Sequence, residues 1–288
     1  MLDVAFHRAL IEAALVGTAA GLLGVQVVLR RLAFFTMAMT HATFPGVVVA
    51  AVAGVSLYIG GAATALIAAL AVAGLSRRHD TGTATAVALA AGFAAGVALL
   101  SAQQGFAKDL TAYLVGSVLT VTRQDLAVAA GVTAVVAAVL AAGGRVLTFT
   151  AFDRDGARAA GLPVAAVDAA VLLLVAAVVV TAVPAAGTIL TVALVVSPAG
   201  TARLWTDRIG PMTAVAVAVA VGGATGGLLL SRAWDVAAGG AVSLTVAACF
   251  GVSLLAAPPL RSWACRLQPQ GACSVSRTAT PSANPPSS

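Results

Sequence analysis

The sequence contains few charged residues, and this deficit determines the class of protein. Charged side chains make up 9% of its 288 residues, and aromatic side chains make up 5%. A soluble domain carries about 25% charged residues, because its surface must interact with water. With 60% hydrophobic residues, this chain cannot supply such a surface. The composition excludes a soluble enzyme, a nucleic-acid-binding domain and a disordered chain, and it predicts an all-α integral membrane protein.

Several chemical signatures are missing as well. The three cysteines form no CxxC spacing, so they predict neither a disulfide framework nor a zinc-ligand set. The sequence has no GxxxxGK[ST] loop for ATP and no HExxH or GxSxG motif. Its apolar runs contain almost none of the ionisable residues that a proton-driven carrier places within the membrane. We therefore expect no enzyme and no cofactor bound by this chain.

Long apolar runs fill most of the sequence. A helix needs about 20 apolar residues to cross the hydrocarbon core. We predict a polytopic bundle of about nine spans, eight to ten being possible, within a transmembrane domain over residues 1–257. The predicted spans are 9–29, 36–58, 60–76, 84–101, 125–143, 167–184, 186–204, 212–231 and 236–257. The Pro- and Ser-rich residues 258–288 are predicted to form a disordered cytosolic tail.

The basic residues predict the orientation of the spans. If the N-terminus is outside and the nine spans alternate, 12 of the 16 Lys and Arg residues lie inside. The four outside are Arg8, Lys108, Arg123 and Arg232. The reverse orientation would invert this bias, so we expect a cytosolic C-terminus. Two carboxylates near predicted span ends, Glu12 and Asp168, are interpreted as interfacial helix caps.

The second predicted span has unusual side chains. His41 is the histidine that lies well inside an apolar run, and the pair Pro45-Gly46 follows it by one turn. Because proline removes a backbone donor and clashes with the preceding turn, we expect a kink or a break there. His41, Met37 and Met39 are candidate metal ligands, although each is also compatible with a purely structural role.

The longest polar connection follows the fifth predicted span. Asp153 is a predicted N-cap, Gly161 a predicted C′ residue and Pro163 a stop just beyond it. The pattern predicts a short helix at the cytosolic surface that carries Arg154 and Arg158. Such a helix is either a solvated connector or a docking element.

Five short motifs occur in the order and at the spacing of one family. They are the end of the first span (27–34), a "SHAxLPG" element (40–46), a "DLxxYLxG" element (109–116), an "FDxxxAxxxGxP" loop (152–163) and an "LxxPAxTAR" element (195–203). On these motifs the chain resembles the permease subunit of ABC importers for manganese, zinc or iron, over about residues 6–255.

This resemblance implies a homodimeric permease of the bacterial cytoplasmic membrane that moves a divalent metal ion by alternating access. Two cytosolic ATP-binding subunits, which use the ATP, and an extracytoplasmic metal-binding protein would complete the transporter. The loop with Asp153, Arg154, Arg158, Gly161 and Pro163 would be its coupling helix. Membrane lipid would surround the chain, and no nucleic acid is expected as a partner.

The chain departs from the family pattern at one position. The family reads "GDALSH", with an aspartate four residues before the histidine, and this chain has Met37 in that place. Residues four apart share a helix face, so the usual pair can bind one cation. Without the carboxylate, an imidazole such as His41 favours zinc over manganese. Pro198 is a second candidate kink along such a path.

Other classes remain open at this stage. A permease for iron chelates or cobalamin has a similar coupling loop, but it has ten spans and a wider pathway. A secondary metal carrier would need inverted repeats or charges at the midplane, and neither is found in the sequence. A membrane scaffold without transport activity would have no use for the coupling-like loop.

Overall fold

The computed structural model describes residues 2–76, 80–102 and 121–266, and every regular element within these ranges is a helix. The helices are α1 (Leu2–Leu29), α2 (Ala33–Ala42), α3 (Phe44–Ala53), α4 (Leu57–Leu75), α5 (Thr81–Ser101), α6 (Arg123–Phe152), α7 (Arg154–Ala159), α8 (Val164–Trp205), α9 (Ile209–Trp234) and α10 (Ala238–Arg266). The predicted all-α class is confirmed.

Nine stretches of these described ranges are long and apolar enough to cross a membrane. Helices α2 and α3 together form one of them, Ala33–Ala53. Helix α8 forms two, Val164–Val183 and Gly187–Trp205, and the short helix α7 forms none. The prediction of about nine spans with a short helix between two of them is confirmed.

Helix α8 folds back on itself at Gly187. This residue has φ 79° and ψ 170°, a left-handed conformation that glycine adopts without a steric penalty. Asp168, near the start of α8, lines the same cavity as Arg203, near its end. Both ends of α8 therefore lie at one end of the bundle, and its two halves are antiparallel spans.

The centre of the bundle is α1, which packs against α6, α8 and α9. Small residues allow a close approach where lipid-facing helices gain nothing from the hydrophobic effect. A Cβ added at Gly21 would lie 2.7 Å from the Cα of Val217, and one at Gly24 would collide with the carbonyl oxygen of Val195. These glycines fix the contacts of α1 with α9 and α8.

The bundle has two distinct ends. One, the arginine-rich end, contains a cavity of about 820 Å³ lined by residues that include Arg30, Arg154 and Arg203. At the opposite end, the guanidinium carbon of Arg232 lies 4.7 Å from the ring centroid of Phe6. For these residues, the structure agrees with the predicted alternation of the spans.

The end of the last helix differs from the prediction. Helix α10 continues past Pro258 and Pro259 to Arg266, so the helical chain does not end at residue 257. The fixed φ of proline is compatible with a helix, although each proline removes one backbone hydrogen bond and crowds the preceding turn. Residues 267–288 of the predicted tail and the motif at 109–116 lie outside the described residues.

Candidate functional site

The second span is divided at the predicted place. Helices α2 and α3 meet at Thr43, and Pro45 lies in the first turn of α3. Thr43 keeps helical dihedral angles (φ −76°, ψ −18°), so the chain continues as one span. A Cβ at Gly46 would collide with the carbonyl oxygen of Gly60, which means that α3 and α4 touch backbone to backbone.

The two methionines of α2 lie on opposite faces. Met39 is fully buried in the core, with 0% of its surface exposed, whereas 44% of Met37 is exposed. Because residues four apart share a helix face, Met37 and His41 lie on the same side of α2. The structure therefore brings Met37 and His41 together and separates Met39 from them.

The His41 ring is half-buried and is held by an aromatic neighbour. Its centroid lies 5.3 Å from that of Phe93 on α5, and the planes meet at 65°. Among the described residues, Nδ1 of His41 is buried without a hydrogen-bond partner. Most buried polar atoms have a partner. A neutral ring nitrogen without a hydrogen-bond partner can offer its lone pair to a metal ion.

One chain offers few further ligands for such an ion. The described residues contain no group of three His, Cys, Asp or Glu side chains that could hold a metal. The imidazole of His41 and the thioether of Met37 are thus the donors that α2 presents. Two soft or borderline metal ligands are suited to a transient contact with a transition-metal ion. They are less suited to a site that stores the ion.

Pro198 does not interrupt its helix. The departure from helical dihedral angles within α8 is at Gly187, and the backbone stays helical around Pro198. The fixed φ of proline fits a helix, and the clash of its ring with the preceding turn is absorbed here without a departure from helical dihedral angles. The predicted spans 167–184 and 186–204 placed the break within α8 at residue 185, within two residues of Gly187. The Pro184-Ala185-Ala186-Gly187 run contains the two residues that most often punctuate helices.

The short helix α7 has the two predicted ends. Oδ1 of Asp153 accepts a 2.8 Å hydrogen bond from the backbone N–H of Gly156 at the start. At the other end, the N–H of Gly161 donates to the carbonyl of Arg158, and the next N–H donates to that of Ala157. Gly161 has φ 76°, so the helix ends in a Schellman motif. Pro163 then precedes the first residue of α8.

The two arginines of α7 are used differently. Arg158 is exposed and donates a 2.8 Å hydrogen bond to Asp155 on the same short helix. Arg154 instead forms an ion pair with Asp168 of α8. Arg158 therefore faces outward, while Arg154 ties α7 to a spanning helix.

Asp168 is not the interfacial cap that the sequence suggested. It lies one turn inside α8, which begins at Val164, and its Oδ1 accepts a 2.5 Å hydrogen bond from Arg30. Its other oxygen binds Arg154. We call Asp168 with Arg30 and Arg154 the Asp168 junction. Because Arg30 and Asp168 are 138 residues apart, no local pattern links them.

Arg30 is also anchored on α6. Its NH2 group donates to the carbonyl oxygen of Leu147 at 2.9 Å and to the hydroxyl of Thr150 at 2.7 Å. Burial lowers the pKa of the Arg30 guanidinium from its usual value, and the Asp168 carboxylate raises it in return. The ion pair with Asp168 therefore stabilises the charged form of Arg30.

Glu12 is a second departure from the expected caps. Helix α1 begins at Leu2, so Glu12 lies several turns inside it rather than at its start. Its side chain is 2% exposed, and within the described ranges neither carboxylate oxygen has a hydrogen-bond partner. Nearby, the hydroxyl of Tyr58 donates a 2.7 Å hydrogen bond to Asp125. Glu12 is therefore a buried carboxyl group in the half of the bundle that lies away from the arginine-rich end.

Comparisons with known proteins give a consistent result. A family model described as "ABC 3 transport family" matches residues 3–257. The manganese transport system membrane protein MntC of Halalkalibacterium halodurans is 34% identical over 254 residues, which cover 88% of this chain and 87% of the relative. The manganese import system permease protein ScaB of Streptococcus gordonii is 31% identical, with 89% and 94% covered.

A solved structure has the same fold. PsaBC from Streptococcus pneumoniae, determined in complex with a Fab, superposes with a TM-score of 0.80 at 30% identity. The match covers 90% of this chain and 94% of the solved chain. The likeness thus extends through almost the whole bundle rather than a single motif.

Proposed function

The chain belongs to the ABC 3 transport family, and on that premise we propose that it is the permease subunit of an importer for a divalent metal ion, zinc ahead of manganese. The chain supplies the membrane path and a docking helix. A separate subunit binds and hydrolyses the ATP, because this sequence has no phosphate-binding loop.

Helix α7 is the observation that carries this proposal. It is a preformed helix at the arginine-rich end, capped by Asp153 and closed by the left-handed Gly161. Its outward residues Asp155 and Arg158 pair with each other and have no role in the core. A rigid, charged surface helix in an otherwise apolar bundle fits a coupling helix that sits against a cytosolic ATPase.

The assembly follows from the same reasoning. We propose a homodimer in the bacterial cytoplasmic membrane, joined to two ATP-binding subunits and supplied by an extracytoplasmic metal-binding protein. The arginine-rich end faces the cytosol, because basic segments remain on the inner side. Because the described ranges contain nine spans, an odd number, we place the N-terminus outside and the C-terminus in the cytosol.

The metal path is proposed to pass the face of α2 that carries Met37 and His41. Pro45 and Gly46 shape this region, because they allow the close contact of α3 with α4. An import path must release its ion, so one imidazole with weak help from neighbouring groups is chemically suitable. Met39 is left out of the path, because it is buried in the core.

The choice of metal depends on position 37. The names of the relatives favour manganese as the cargo. Manganese prefers carboxylate and other oxygen ligands, whereas imidazole suits zinc, and thioether sulfur is a soft donor. Because this chain presents Met37 beside His41, we place zinc ahead of manganese.

The test is ATP-dependent uptake by liposomes that contain the chain, its ATPase and its metal-binding protein. We expect uptake of zinc, with slower uptake of manganese. His41→Ala should reduce uptake at least about tenfold, equivalent to about 1.4 kcal/mol in the barrier. His7→Ala removes an imidazole that is exposed at the opposite end, so it is the matched control.

Two outcomes contradict the proposal. If the unaltered chain with its partners takes up neither metal, it is not the permease of a divalent-metal importer. If His41→Ala and His7→Ala take up metal equally well, His41 packs against Phe93 and has no part in the path.

A further inference from the structure

We infer that the Asp168 junction transmits the movement of α7 to the spanning helices, so that Arg30, Arg154 and Asp168 are positioning residues for transport. This inference rests on the proposed function, since it assumes that an ATPase acts on α7. None of the three residues needs to contact the metal. They lie at the arginine-rich end, and their net charge is positive, so it repels cations.

The first step is that Asp168 connects separate parts of the bundle. Through Arg30, its Oδ1 is joined to the end of α1, and the same guanidinium binds Leu147 and Thr150 of α6. Asp168 itself belongs to α8. One carboxylate therefore links three spanning helices that contribute to the central packing of the bundle.

The second step is that one charged side chain of α7 reaches this centre, beside the apolar packing of Ala157. Arg154 is the first residue of α7, and it binds the oxygen of Asp168 that Arg30 does not use. Apart from the chain connections at its two ends, this ion pair is the one side-chain ion pair between α7 and a spanning helix among the described residues. A displacement of α7 is therefore passed to α8 at Asp168.

The third step is that the two halves of the junction differ in burial. The Arg30 side chain is 7% exposed, whereas that of Arg154 is 55% exposed. Exposed ion pairs are weak and are exchanged readily with water, but a buried charge depends on its partner. The Arg30 half is thus anchored in the bundle, and the Arg154 half connects this anchor to the exposed helix α7.

The decisive measurement is the amount of metal moved per ATP hydrolysed by the complete reconstituted transporter. Arg154→Gln and Asp168→Asn should lower this ratio at least about fivefold, the usual lower size of a coupling effect. Their ATPase subunits should still co-purify and hydrolyse ATP. Arg145→Gln, which removes an exposed charge of α6 near the same end, should leave the ratio unchanged.

The double variant separates a junction from two independent effects. If Arg154 acts through Asp168, combining Arg154→Gln with Asp168→Asn should be no worse than Asp168→Asn alone. Losses that simply multiply would overturn the inference. So would a parallel fall of uptake and hydrolysis, because that pattern indicates damaged folding or assembly instead of lost coupling.

Hydrogen exchange of the purified chain tests the junction without any partner. The backbone N–H groups of Ala157 and Ala160, which are hydrogen-bonded within α7, should exchange faster in Asp168→Asn than in the unaltered chain. Equal exchange would overturn the inference, since Asp168 would then not hold α7. A transporter that moves no metal with the unaltered chain would instead refute the proposed function, while the exchange of α7 would still decide whether the junction holds it.

Discussion

The charged groups at the arginine-rich end and two polar groups within the spans differ in whether they have hydrogen-bond partners. At the arginine-rich end, both oxygens of Asp168 have a cationic partner, and Arg30 binds two further groups of α6, so that of its nitrogens Nε alone is buried without a described partner. Within the spans, described polar atoms of Glu12 and His41 are buried without a partner. The first set is fixed by its neighbours, and the second is available to a ligand.

This difference has a physical cause. A charge near the membrane surface can be joined by side chains from several helix ends, because arginines are plentiful there. Most side chains packed deeper in the bundle are Ala, Val and Leu, so a polar side chain there has few side-chain partners. The contrast indicates that paired charges serve the architecture and that isolated polar groups deserve a functional test.

The largest effect is expected from breaking the paired set. Arg30→Ala leaves Asp168 with a half-exposed partner only, and it removes the hydrogen bonds of Arg30 to Leu147 and Thr150 of α6. We expect a loss of about 3 kcal/mol or more in the free energy of unfolding, as for other buried pairs that lose one member. Chemical unfolding of the purified chain in detergent measures it. Arg145→Ala is the control, and an equal loss there would show that Arg30 has no special anchoring role.

The next effect distinguishes the two faces of α2. Met39→Ala removes a fully buried side chain and should lower the free energy of unfolding by about 2–5 kcal/mol. Met37→Ala deletes the same atoms from an exposed site and should change it by less than about 1 kcal/mol. Both variants are measured in one unfolding series. Similar losses at the two positions would contradict the assignment of Met39 to the core and Met37 to the open face.

A smaller effect concerns the cargo rather than stability. Met37→Asp places a hard oxygen ligand four residues before His41, on the same helix face. The uptake of manganese relative to zinc should rise severalfold, while the unfolding of the chain stays unchanged. Competition between the two metals in the liposome assay gives the ratio. A constant ratio would assign metal selection to the metal-binding protein.

The smallest effect is expected at Glu12. Replacing a buried polar group that lacks a partner by an apolar side chain of similar size is neutral or stabilising. Glu12→Met should therefore leave the free energy of unfolding unchanged or raise it by about 1 kcal/mol. Thermal unfolding in detergent is sufficient to measure this. A clear destabilisation would mean that the carboxylate is paired with a cation, and Glu12 would then belong with the paired charges.

The sequence predicted those features that depend on local chemistry. Span length follows from apolar runs, and the ends of α7 follow from Asp153, Gly161 and Pro163, because caps act within a few residues. Asp168 was misassigned because its partners Arg30 and Arg154 come from other elements. Glu12 was misassigned because α1 starts seven residues earlier than its apolar run suggests. The predicted boundary between spans 167–184 and 186–204 lies within two residues of the fold-back at Gly187, although no polar loop separates the two apolar halves.

The fold-back at Gly187 also constrains how the protein is made. The turn between Val164–Val183 and Gly187–Trp205 contains Pro184, two alanines and Gly187, with no charged or hydroxyl residue. A turn this short leaves almost no chain between the two halves of α8. The two halves of α8 are therefore expected to enter the bilayer as a single helical hairpin during synthesis, and the finished turn offers proteases no polar loop to cleave.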